Sequence, residues 1–110
     1  MIHVTIFCNE DEVCVGFQAE GHAGYAELGD DIVCAAASVL IINTINSIEV
    51  FTDDEVSLES DEESGMITYR LLDEPSRGAT LLLESMILGL QDMVDEKDYA
   101  DYIDLTFEEV

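Results

Sequence analysis

The chain has 110 residues, 48% of them hydrophobic, with one proline; this predicts a single folded domain over residues 1–110, with no room for a separate cofactor-binding unit. Its 26 acidic residues face only Arg70, Arg77 and Lys97, a formal net charge of −23 that repels nucleic acid and anionic lipid and attracts cations or basic polypeptides. Three cysteines without framework spacing, and no charged-then-apolar leader, predict a reducing, cytoplasmic setting.

Ile2, Val4 and Ile6 alternate with His3, Thr5 and Phe7, which predicts a half-buried strand, and Asn9, Glu10 and Asp11 a turn. Val13, Val15, Phe17 and Ala19 repeat the alternation and complete a hairpin. On strict alternation Cys8 lies on the core face and Cys14 on the other, which disfavours a bridge between them. The second strand leads to Gly21 and His22, then to a loop carrying Gly24 and Gly29. Asp30 or Asp31 is expected to cap a helix beginning at Ile32, which Val33, Ala36, Ala37, Leu40, Ile41 and Ile45 continue towards Phe51. The nearly apolar run 32–42 is too short for a hydrocarbon layer of roughly 30 Å. Apolar residues on most sides of that helix predict cover by the sheet and by a second helix or second subunit.

Val56 and Leu58 predict a third strand, residues 61–65 a turn, and Ile67, Tyr69 and Leu71 a fourth strand. After Pro75 and Ser76, Leu82, Leu83, Met86, Ile87, Leu90, Met93 and Val94 recur at helical spacing. Ile103, Leu105 and Phe107 suggest an added edge strand. The expected fold is therefore an α+β layered domain of order ββαββα(β), a mixed sheet with two main helices.

Within this frame, His22 at a strand end and Cys34 early in a helix form the pattern of a Cys-His nucleophile. An ordinary thiol, pKa about 8.5, is mostly protonated at neutral pH. A helix N-terminus contributes about 0.3 to 1 kcal/mol against 1.36 kcal/mol per pKa unit, so a nearby cation is required. With no Lys or Arg before Arg70, protonated His22 is the local candidate. Asp31 either orients the imidazole or caps the helix. Ser38, one turn beyond Cys34, either hydrogen-bonds near the site or allows close packing, and the N–H groups of Val33 and Cys34 are candidate oxyanion donors. No C-x-x-C or H-x-x-x-H spacing supports zinc, no phosphate-cradling loop is present, and Met66, Met86 and Met93 read as core fillers. Neither a metal nor a cofactor is expected.

Gly21-His22-Ala23, the glycine-bearing loop, and Asp31-Ile32-Val33-Cys34-Ala35-Ala36-Ala37-Ser38 closely resemble the signature of the bacterial ribosomal-processing cysteine protease family. The resemblance implies a ββαββα fold and a homodimer. It also implies a cysteine endopeptidase that removes the N-terminal extension of a basic large-subunit ribosomal protein, cutting beside an aromatic pair upstream of lysines. It places His22 and Cys34 at the catalytic positions and Asp31 and Ser38 at nearby motif positions, with the loop 23–30 closing on substrate. Ala37 departs from the pattern, where a larger β-branched residue is usual. The alternative reading is a non-catalytic acidic module that shields a basic ribosomal protein during assembly; a third is a redox-sensing thiol.

Overall fold

The computed structural model describes the backbone of residues 1–21, 28–61 and 63–110, and the side chains of the same residues apart from 28–31. The alternating segments form strands β1 (Ile2–Cys8), β2 (Cys14–Glu20), β3 (Val56–Asp61), β4 (Met66–Leu71) and β5 (Ile103–Glu109), and the two apolar-periodic segments form helices α1 (Leu28–Phe51) and α2 (Arg77–Asp95). This is the expected ββαββα(β) order. The sheet order is β3-β4-β2-β1-β5, mixed because β5 lies parallel to β1 while the other neighbours are antiparallel.

That pairing dictates where the helices go. β2 and β3 are both antiparallel to β4 and so run the same way, and β4 runs the same way as β5. Each of these connections must cross the sheet, which a hairpin turn cannot do and a helix can. Both helices cover the sheet face that carries Ile2, Val4, Ile6, Phe17, Ala19, Tyr69 and Ile103, and α2 adds Ala79, Leu83, Met86, Leu90 and Met93. Met66, expected in the core, is only half-buried.

The opposite sheet face is mostly polar. Phe7, Gly16 and Arg70 are register partners across three strands, and the Arg70 guanidinium stacks over the Phe7 ring at 4.3 Å. Gly16 lies between them, where an added Cβ would come within 2.3 Å of the Tyr69 carbonyl. Any side chain there would push the strands apart.

Two expectations need correction. Phe7 pairs with Gly16 but Cys8 pairs with Cys14, so Val15 is an extra residue in the ladder, a bulge that breaks the alternation. Cys14 therefore turns into the core, directly opposite Cys8, instead of facing away from it. The long helix also starts at Leu28 rather than Ile32 and runs for 24 residues. Its segment Ile32–Phe51 is long and apolar enough to cross a membrane by length and composition, so the shorter run 32–42 understated it. Here Val33, Ala37, Ile41 and Ile48 sit on the sheet and Leu40 packs against Gly89 of α2, the expected second cover, while Ile32, Val39, Ile42, Val50 and Phe51 are exposed.

Ser76 joins the halves. It caps α2 by accepting a hydrogen bond from the Ala79 N–H at 3.1 Å, worth about 1 kcal/mol. Its own N–H and hydroxyl donate to the two Asp54 carboxylate oxygens, which holds that carboxyl below its usual range. The loop after α1 is thus tied to the start of α2.

Tyr69 packs its ring on Phe17, centroids 5.3 Å apart, but its buried hydroxyl has no hydrogen-bond partner among the described residues. A buried, unpaired hydroxyl costs about 1–3 kcal/mol. Tyr69→Phe is therefore expected to raise stability by about 1 kcal/mol, read as a higher urea midpoint with an unchanged slope; a lower midpoint would show that the hydroxyl is satisfied.

Candidate active site

Gly21 follows β2 with φ +96, and an added Cβ would fall 2.2 Å from the Met1 carbonyl. The chain can leave the strand beside the start of β1 because this residue is glycine. The same corner receives α1. Ala37 and Ser38 line a cleft of about 30 Å³ with Ile2, Ala19, Ile41, Ile42 and Ile67, one turn beyond Cys34. Cys34 is half-buried and packs against the core cluster. The strand end that leads to His22 and the helical turn that carries Cys34 thus belong to one edge of the fold.

His22, the loop from Ala23 and the side chain of Asp31 lie outside the described residues. The backbone of 28–31 nevertheless changes their reading. Residues 28–30 belong to α1, so Gly29 and Asp30 are helical and not part of the loop. Asp31 lies inside the first turns and is not the cap. Cys34 lies in the second turn, beyond the first turn where the helix dipole acts on a charge. The N–H groups of Val33 and Cys34, at helix-interior positions, have carbonyl partners four residues back and are unavailable as oxyanion donors.

The other histidine is committed elsewhere. His3 points away from the core face of β1 and its Nδ1 lies 2.8 Å from Asp104 Oδ2 on β5. Among the described residues no three His, Cys, Asp or Glu side chains converge on a metal-sized site.

The sequence profile of the family described as cysteine protease Prp matches residues 1–104. The chain belongs to that family. It is 34% identical over 110 residues to the ribosomal processing cysteine protease Prp of Bacillus subtilis (strain 168), covering 96% of each chain. It is 32% identical over 107 residues to the enzyme of the same name from Staphylococcus aureus (strain Mu50 / ATCC 700699), covering 97% of this chain and 99% of the relative. The fold is equally close to that of the S. aureus protease solved with a substrate peptide, TM-score 0.91 at 30% identity over 98% of this chain and 100% of that one. The same protease with a covalently linked product peptide gives TM-score 0.85, again at 30% identity over 98% of this chain and 100% of that one. The protein is thus a cysteine protease of α+β fold, as its sequence signature suggested.

A cysteine protease needs a thiol that ionises near neutral pH, and two of the three cysteines are built otherwise. Burial pushes the Cys14 thiol up to about 11, and its S–H donates to the Gly16 carbonyl at 3.5 Å. Burial and the neighbouring Glu12 push Cys8 up as well. In the unfolded chain Cys14 loses its proton from about pH 9, but in the native protein only near 11. Between those values the unfolded state holds fewer protons, so stability falls as pH rises. The expected loss is on the order of 2 kcal/mol from pH 9 to 11, read from urea midpoints, and Cys14→Val should flatten that slope; equal slopes in both proteins would refute the assignment.

Proposed function

We propose that this protease removes the N-terminal extension of a basic large-subunit ribosomal protein, with Cys34 as nucleophile and His22 as the acid-base partner. What carries this reading is the half-buried Cys34 on the second turn of α1, in a fold shared with a ribosomal processing protease captured with a covalently linked product peptide. The raised thiols of Cys8 and Cys14 favour the same choice.

The reaction is acyl transfer. His22 takes the Cys34 proton, the thiolate adds to the scissile carbonyl, and collapse of the tetrahedral adduct breaks the C–N bond as the imidazolium returns the proton to the leaving amine. Water, deprotonated by His22, then attacks the thioester, and the thiol leaves as Cys34. Asp31, no longer a candidate cap, is assigned to orienting His22, and Ser38 to polar support one turn along the helix.

The acidic surface suits a basic substrate segment, since the chain carries −23 and its three cations include an Arg70 already stacked on Phe7. A homodimer through α1 is part of the reading. From Ile32 to Ile48 no charged residue occurs, and the exposed Ile32, Val39 and Ile42 share that stretch, so like-charge repulsion between two copies is smallest there. A cytoplasmic setting fits Cys8 and Cys14, which face each other as thiols and form no bridge.

The cleavage test uses a synthetic peptide with an aromatic pair followed by Ala, Ser and lysines, read by mass spectrometry. Wild type should cut once at the aromatic boundary, and Cys34→Ala and His22→Ala should lose at least about 10³-fold in rate, with Asp31→Asn and Ser38→Ala retaining more. Product from Cys34→Ala would refute the nucleophile. In sedimentation equilibrium, Val39→Asp combined with Ile42→Asp should convert a dimer to a monomer; a dimer that persists would place the interface elsewhere.

A further inference from the structure

The inward-facing row of β5 changes character along its length. Ile103 is 1% exposed, Leu105 is half-buried and Phe107 is 54% exposed, because α2 and the strand diverge. The gap between them, closed at one end by the β1–β2 turn, is an open groove of about 940 Å³. Its floor is apolar, with Cys8, Cys14, Ile87, Leu88 and Phe107, and its rim carries Glu12, Glu84, Glu108 and Glu109, with no basic residue among the described residues that line it. The groove continues past Leu88 and Phe107 to Asp92 and Asp95.

This groove is separate from the corner that holds Cys34. It opens at the Cys8 end of β1, whereas the Ser38 cleft lies at the Ile2 end, about 20 Å away at 3.3 Å per residue, and the two share no lining residue. An apolar floor inside a charged rim is the usual form of a binding surface.

We propose that the groove between α2 and β5 docks a short extended segment of basic polypeptide, its lysines or arginines facing the rim and one or two large apolar side chains covering Leu88 and Phe107. Charge decides among the occupants. Nucleic acid and anionic lipid meet a rim of carboxylates, and a second copy paired through this groove would set the same carboxylates against them, unlike the uncharged stretch of α1. The floor discriminates further, since a polycation without apolar side chains leaves Leu88 and Phe107 in water. β5 is also an edge strand, so its outer backbone groups are placed to pair with an extended chain, a recurring way of binding peptides. The site goes beyond the cleavage reading and does not depend on it.

The test measures binding of a dye-labelled peptide, Lys-Leu-Lys-Phe-Lys-Leu-Lys-Arg-Lys, by fluorescence anisotropy, beside a peptide of equal charge with serine in place of Leu and Phe. Wild type should bind the first at least tenfold more tightly. Leu88→Ser and Phe107→Ser should each weaken it about tenfold, and Glu84→Gln with Glu109→Gln several-fold. Leu58→Ser with Glu59→Gln, on the opposite sheet edge, should change it less than twofold. All these positions are exposed, and circular dichroism checks that each variant folds. Equal losses at both edges, no preference for the apolar peptide, or no binding would overturn the proposal. So would conversion of a dimer to a monomer by Leu88→Ser with Phe107→Ser in sedimentation, because the groove would then be filled by a second copy.

Discussion

The stripe Val33, Ala37, Ile41, Thr44 and Ile48 presses α1 onto the sheet, and the position of the thiol follows from it. The steps of three and four residues keep these side chains on one face, and the small Ala37 faces Ile2 and Ala19 across the cleft of about 30 Å³. Thr44 joins the stripe without an unmet hydroxyl, because it donates to the Leu40 carbonyl at 2.8 Å. Cys34 stands beside this stripe, half-buried, and inherits its rigidity. A side chain mounted on a helix held along several turns is fixed in direction by packing far from it.

Direction in the sheet sets the remaining geometry. Because β2 and β3 run the same way and β4 and β5 run the same way, each helix must cross the sheet, and both lie on one face. The second face is left to polar cross-strand pairs and the Phe7–Arg70 stack. The acidic surface is thus interrupted on the helical layer by two apolar features of different kind. One is the uncharged stretch of α1, and the other is the groove where α2 and β5 part.

Much of this was legible in the residues. Alternation located β1, β3, β4 and β5, helical spacing located α2, and Ser76 after Pro75 marked its start. The family was recognisable from the motif around Cys34, though the local reading of that stretch erred. Gly29, Asp30 and Asp31 read as loop and cap because glycine is a poor helix former and aspartate favours caps, yet all three lie within α1. Strict alternation misplaced Cys14 because a bulge inserts one residue without a sequence mark as strong as a glycine or proline. The groove was not visible at all. Leu81 and Leu88 stand seven residues apart, outside the stripe that runs from Ala79 to Met93, and that spacing was the available sign of a second apolar face.

The pairing of β1 with β5 ties the two ends of the chain together, with residues 101 positions apart in direct contact at His3 and Asp104. The Ile2 N–H donates to the Tyr102 carbonyl and the Val110 N–H to the Cys8 carbonyl, so both ends of this seam are stitched. β1 to β4 form by short hairpins and one helical crossover, whereas the last strand closes the longest loop in the molecule. During synthesis one side of β1 therefore stays unpaired until Ile103–Glu109 has been made. One wall of the groove comes into being only with that strand, after the α2 wall opposite it has been made.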